Sequence, residues 1–248
     1  NDFNKIIKLK EKYKFKIIED ASHALGAKYK NSKIGSCKYS DACVFSFHPV
    51  KPITSAEGGA ILTNNYEIFN KAKYLRTHGI VSDENLSPNE PWMYDQKYLG
   101  YNFRMSEIHA ALGLSQLNYL DKFISRRNYL MKLYFDLLKH EPLKFQKIRN
   151  NDLSTYHLNL ILIEMKNIRI NKIEMYNYFL KKKIRLQVHY IPIYKHSYYK
   201  KKFNKLNFPN NEKYFENTFT FPLYDDLKKN DVKYISDQIK NFIDIFHI

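Results

Sequence analysis

All seven glycines of this 248-residue chain, Gly26, Gly35, Gly58, Gly59, Gly79, Gly100 and Gly113, lie in its first half. Glycine alone tolerates positive φ and close backbone approach without penalty, so tight ligand-facing turns are confined to the part before Gly113. The second half has to be built from strands and helices joined by ordinary turns. The chain therefore divides into a half suited to chemistry and a half suited to support.

Local patterns fill in that division. Residues 3–14 set Ile6, Ile7 and Leu9 among lysines and predict a helix; residues 16–20 predict a short buried strand ending in acid. Residues 42–47 and 59–63 predict two further strands around a polar turn, His48-Pro49-Val50-Lys51-Pro52, and residues 65–76 a helix. Helices alternating with strands indicate an α/β domain over 1–105. From Ser106 to about His140 the apolar positions keep helical spacing, which predicts one long helix that bends or bridges two lobes. Beyond it, a strand over 156–165, a helix over 171–182, a strand over 186–193 and a helix over 231–242 with Asn230 as N-cap describe a small α+β domain, 141–248.

Charge and cysteine content limit the partners. Lys and Arg total 41 against 25 Asp and Glu, a formal net charge of +16. Of the basic residues 34 are Lys and 7 Arg, and runs such as Lys181-Lys182-Lys183 and Lys200-Lys201-Lys202 read as solvated surface. Nucleic-acid and membrane partners are not expected, although such a field draws in anionic substrates, phosphates included. No apolar run reaches the ~20 residues of a membrane helix. Two cysteines, Cys37 and Cys43, form neither a disulfide framework nor a zinc-ligand spacing, and a reducing cytoplasm is the expected setting.

Asp20 closes a predicted strand, His23 follows three residues later, Ser46 sits in another strand, and Lys51 lies in a turn between Pro49 and Pro52. A strand-end carboxylate in an α/β domain points toward the crevice where ligands bind. A lysine with restricted backbone freedom, if desolvated, becomes nucleophilic toward carbonyls. Acid, hydroxyl, imidazole and lysine are the set that pyridoxal phosphate needs. Taken singly, each has a plainer explanation: Lys51 as a surface lysine, Asp20 as a turn cap, His23 as an ordinary histidine, Ser46 as an alternating strand residue.

The runs IIEDASHALGAKY (17–29), IGSCKYSDACVFSFHPVKPITSAEGGAILTNN (34–65), LGYNFRMSEIHAALGLSQL (99–117), QVHYIPIY (187–194) and PLYDDLKKNDVKYI (222–235) resemble the sugar-nucleotide aminotransferases of the DegT/DnrJ/StrS type. Within that family the wording SFHPVKPIT and VHYIPI is most similar to the branch acting in pseudaminic acid biosynthesis. The resemblance implies a pyridoxal 5'-phosphate enzyme with a fold type I, aspartate-aminotransferase-like large domain and a small C-terminal α+β domain. It implies that Lys51 bonds the cofactor covalently and moves the proton, that Asp20 pairs with the ring nitrogen, that His23 lies near the phenolic oxygen, and that Ser46 contacts the phosphate. Asn102 would reach the phosphate in the neighbouring subunit of a homodimer. Arg104, His189 and Tyr190 are candidate substrate contacts. The expected reaction moves an amino group from glutamate to the 4-keto carbon of a UDP-linked 4-keto-6-deoxy-N-acetyl sugar. Only fifty residues precede Lys51 and the chain starts without Met. The expectation is thus a large domain incomplete at its N-terminus, lacking a phosphate-binding turn, and a chain that alone is inactive; a cofactor-free regulatory protein of the same fold is the alternative.

Overall fold

A computed structural model describes residues 2–81, 89–203 and 206–248. The chain forms two compact units, one of residues 1–122 with 150–155 and the other of residues 123–149 with 156–248.

The first unit opens with α1 (Phe3–Tyr13), ended by Lys14 in the left-handed conformation, and β1 (Ile18–Asp20). A short hairpin, β2 (Lys28–Tyr29) and β3 (Ser32–Lys33), precedes β4 (Ala42–Ser46) and β5 (Gly59–Leu62). β1 pairs parallel with β4, Asp20 opposite Val44, and β4 pairs antiparallel with β5, Ser46 opposite Gly59. The boundaries of the expected strands hold to within two residues, but β1, expected to be buried, is largely exposed, Ile18 by 68%. Ala21, Cys37, Cys43 and Phe45 make a small core beneath this sheet. α2 (Tyr66–Leu75) starts at Asn65, whose side chain accepts the Ile68 N–H at 3.0 Å, and leads to the short pair β6 (Ile80–Val81) and β7 (Asp95–Gln96). Residues 150–155 rejoin this unit: Leu153 bridges Lys28, and the Asp152 carboxylate accepts the Lys30 N–H at 2.9 Å.

Where one helix over 106–140 is expected, there are two, α3 (Glu107–Leu117) and α4 (Leu120–Leu138). The Tyr119 N–H turns back to the Gln116 carbonyl at 3.0 Å, three residues away rather than four, and that tighter turn ends α3. The division between the units falls inside α4, between Lys122 and Phe123.

The second unit continues with β8 (Leu143–Phe145), β9 (Asn159–Ile163), α5 (Lys172–Lys181), α6 (Ser197–Phe203), α7 (Pro209–Asn217), β10 (Thr218–Phe221) and α8 (Lys229–Phe246). β9 is the centre of an antiparallel sheet, β10–β9–β8. Its core gathers Leu130, Tyr134 and Leu138 of α4, Phe179 of α5, Phe219 and Phe221 of β10, and Ile239 and Phe242 of α8. Arg127 is buried among these elements. Its Nη1 donates to the carbonyls of Leu223 (3.2 Å), Tyr156 (3.4 Å) and His157 (3.5 Å), and its Nη2 to Asp225 Oδ2 at 3.3 Å. Arg126 adds a 2.7 Å bond to the Leu227 carbonyl, and the Tyr134 hydroxyl one of 3.0 Å to that of Pro222. One face of α4 thus clamps the 222–227 loop.

Two expectations for this unit are corrected. The strand predicted over 186–193 is reduced to one isolated bridge, Gln187 to Thr220, followed by a 3₁₀ turn at Ile193–Lys195. Pro192 has no N–H to offer a ladder at that point. Asn230 lies inside α8; the N-cap is Lys228, whose N–H is accepted by the Asp231 carboxylate at 2.9 Å.

Candidate active site

Parallel pairing puts the carboxyl ends of β1 and β4 side by side. Asp20 ends the first strand and Ser46 the second. The Asp20 Oδ1 accepts the Ser22 hydroxyl at 2.5 Å and the Ser22 N–H at 3.1 Å, so one oxygen holds the turn after the strand. Oδ2 has no hydrogen bond among the described residues. The two Ser22 bonds hold the carboxyl below its usual range, and the positive charges of His23 and Lys51 lower it further. Asp20 is therefore ionised at neutral pH, with His23 and Lys51 near enough to favour its charged form. His23 is half-buried, and its carbonyl accepts the Thr155 hydroxyl at 2.8 Å.

Lys51 lies on the loop joining β4 to β5. The Lys51 N–H donates to the His48 carbonyl at 2.9 Å, closing a turn over residues 48–51, and the His48 N–H reaches Ser46 Oγ at 3.4 Å. The base of the loop is fastened by Phe47 N–H to the Gly58 carbonyl (2.8 Å) and Ser55 N–H to the Phe47 carbonyl (3.0 Å). Pro52, Ile53 and Ser55 are buried, so the loop is anchored on one side and Lys51 remains half-buried. Gly58 is needed there: at φ +150° a Cβ would lie 2.4 Å from Met105 Cε and 2.7 Å from Ser55 Oγ.

Asp20, His23, Ser46 and Lys51 thus share one end of one sheet. Asn102 and Arg104 stand on another segment of the same unit, both exposed. Asn102 bridges Thr77, and the flanking residues are tied by Tyr101 N–H to the Leu75 carbonyl and Phe103 N–H to the Arg76 carbonyl, each 2.9 Å. His189 and Tyr190 belong to the second unit, where His189 Nδ1 lies 2.7 Å from Thr220 Oγ1. Sequence reasoning anticipated Asp20 capping the turn at Ala21-Ser22, and it missed Thr155, the brace of His23. The Asp-Ala-Ser spacing was the signal for that turn; nothing local marks Thr155, which arrives from residues 150–155.

The mixed α/β fold brings an ionised strand-end carboxylate and a loop bearing a half-buried lysine to one end of a sheet, an arrangement suited to amine and carbonyl chemistry. The chain belongs to the DegT/DnrJ/EryC1/StrS aminotransferase family, whose profile matches residues 1–240. It is 36% identical over 244 residues to the UDP-4-amino-4,6-dideoxy-N-acetyl-beta-L-altrosamine transaminase of Campylobacter jejuni strain 81-176, covering 98% of this chain and 62% of that protein. To the transaminase of the same name from Helicobacter pylori it is 34% identical, covering 97% and 62%. Among solved structures it is similar to Helicobacter pylori PseC, an aminotransferase involved in the biosynthesis of pseudoaminic acid, at 32% identity and a TM-score of 0.89 over 99% of this chain and 64% of that one. The PLP form of Spr1654 from Streptococcus pneumoniae matches at 25% identity and a TM-score of 0.86, over 99% and 66%. The chain therefore spans a little under two thirds of the curated relatives it matches. The expected fold class is borne out.

Proposed function

We propose that the protein is a pyridoxal 5'-phosphate-dependent aminotransferase that moves an amino group from glutamate to the 4-keto carbon of a UDP-linked 4-keto-6-deoxy-N-acetyl sugar, acting in the cytoplasm. The observation that carries this reading is the parallel pairing of β1 with β4, which sets the Asp20 carboxylate, Ser46 and the loop bearing Lys51 at one end of one sheet. The relatives named for the altrosamine transaminase reaction favour the substrate class.

The residues present fit the cofactor. Asp20 has one oxygen committed to its turn and one open to a ring N–H, and its depressed pKa keeps it a carboxylate opposite that proton. Ser46 offers a hydroxyl for the phosphate, and His23 an imidazole beside the ring. When bound, pyridoxal phosphate supplies an electron sink for the carbon that loses a proton. Lys51 would do the acid–base work: its Nζ would take a proton from the carbon of the amino donor and later give one back. On the keto sugar the same amine works in the opposite direction, and kinetics are ping-pong.

A homodimer with shared sites fits the surface around Asn102. Leu99 is 87% exposed and Ile108 82%, with Tyr101 and Phe103 stacked and open beside them. In the proposed dimer this open apolar surface would be covered by the partner copy. Asn102 and Arg104 would then serve the partner copy's site, Asn102 at the phosphate and Arg104 at the sugar nucleotide, with His189 and Tyr190 as further substrate contacts.

The test is to supply the complete protein with pyridoxal phosphate, glutamate and the UDP-keto sugar and to follow the amino sugar by mass spectrometry. Product from the native protein and none from Lys51→Ala supports the reading. No product with any UDP-keto sugar refutes it.

A further inference from the structure

β10 alternates Thr218, Phe219, Thr220 and Phe221, so two aromatic rings face one side of the sheet and two hydroxyls the other. Phe219 and Phe221 fill the core of the second unit. Thr220 is only 7% exposed, and its Oγ1 lies 2.7 Å from His189 Nδ1. The backbone ties the same two segments twice, Gln187 N–H to the Thr220 carbonyl at 3.0 Å and Thr220 N–H to the Gln187 carbonyl at 2.8 Å. One threonine therefore fixes both the main chain leading to His189 and the His189 ring. A threonine hydroxyl can donate to an unprotonated Nδ1 or accept from a protonated one. Whichever it does, Nδ1 is committed, and the chemistry of the ring's other nitrogen follows from that choice.

We propose that Thr220 is a positioning residue that sets the orientation and tautomer of the His189 imidazole, and through it the affinity for the sugar nucleotide. The proposal rests on the reading of His189 as a substrate contact. A valine at position 220 keeps the shape of threonine and removes the hydroxyl, so Nδ1 would face a methyl group.

The experiment uses the complete protein with ¹⁵N-labelled histidine, the His189 signals being identified by their loss in His189→Ala. Thr220→Val is expected to shift the His189 nitrogen resonances and leave the other histidines in place. The KM for the UDP-keto sugar should rise about three- to tenfold, the loss of one neutral hydrogen bond's worth of positioning, with kcat within about twofold of native. Thr220→Ser should restore both readouts, and Thr218→Val, on the same face of the strand, should move neither. In a His189→Ala background Thr220→Val should add nothing to KM. Unmoved His189 resonances in Thr220→Val overturn the proposal, as does an equal effect from Thr218→Val. Resonances that move while KM stays native in both Thr220→Val and His189→Ala refute the substrate contact itself, and the positioning role with it.

Discussion

Arg127→Met tests the clamp that α4 places on the 222–227 loop. Methionine keeps the apolar stem of arginine and removes the charge, so what is lost is the guanidinium's hold on three carbonyls and on Asp225. The Arg127 side chain is 7% exposed and that of Asp225 28%. Breaking a fully buried pair costs about 3–5 kcal/mol because the remaining charge is stranded. The partial exposure of Asp225 lowers that to about 2–4 kcal/mol. At about 2–4 °C per kcal/mol for a protein of this size, melting should fall by roughly 4–16 °C. The deficit should also depend on pH. Burial already raises the Asp225 pKa against the opposing pull of Arg127, and without Arg127 it rises further. An acid whose folded pKa exceeds its unfolded value costs stability as pH climbs between the two, since the unfolded chain gives up the proton first. The loss should therefore be larger near pH 7 than near pH 4, and Arg127→Met/Asp225→Asn should recover about 1–2 kcal/mol near pH 7. Calorimetry and urea titration of the complete protein measure this. A loss below about 0.5 kcal/mol, or an identical loss at both pH values, would refute the clamp.

Asp20→Asn removes the charge that opposes the ring N–H while keeping the Ser22 turn bonds possible; kcat should fall roughly 10²–10³-fold, and near-native turnover would reduce Asp20 to a turn cap. Mixing Asn102→Ala with Lys51→Ala subunits should regenerate one intact site per heterodimer and recover part of the activity neither homodimer has; no recovery after verified exchange would exclude a role in trans. Burial raises the Cys37 thiol pKa and pushes that of Cys43 up to about 12, so a disulfide reagent near pH 8 should label neither until the protein is unfolded. Rapid labelling of the native protein would contradict the packing of both beneath the first sheet.

The positions of the candidate residues were legible because they coincide with punctuation; the roles proposed for them came from the family resemblance. Asp20 ends an apolar run, and Lys51 sits between two prolines, so strand ends and turn could be read from neighbours in the chain. The braces of that site were not, because their partners are distant: Thr155 meets His23 and Leu153 meets Lys28 across more than a hundred residues. The same holds for Arg127, whose carbonyl partners on the 222–227 loop cannot be inferred from helical spacing. β10 was missed because four alternating residues after the polar helix α7 carry too weak a period to stand out, and Thr220 was missed with it. The break between α3 and α4 has no glycine or proline to announce it; a single tightened turn at Tyr119 makes it.

The central claim is that Lys51, at the same sheet end as Asp20, is the amine that bonds the cofactor. The direct measurement is to incubate the complete protein with pyridoxal phosphate, reduce it with borohydride, digest it and locate the added mass. Lys51 should carry a single stoichiometric phosphopyridoxyl group, with Lys51→Ala unlabelled under the same conditions. A modification spread over the surface lysines, or fixed on a lysine other than Lys51, would contradict the account.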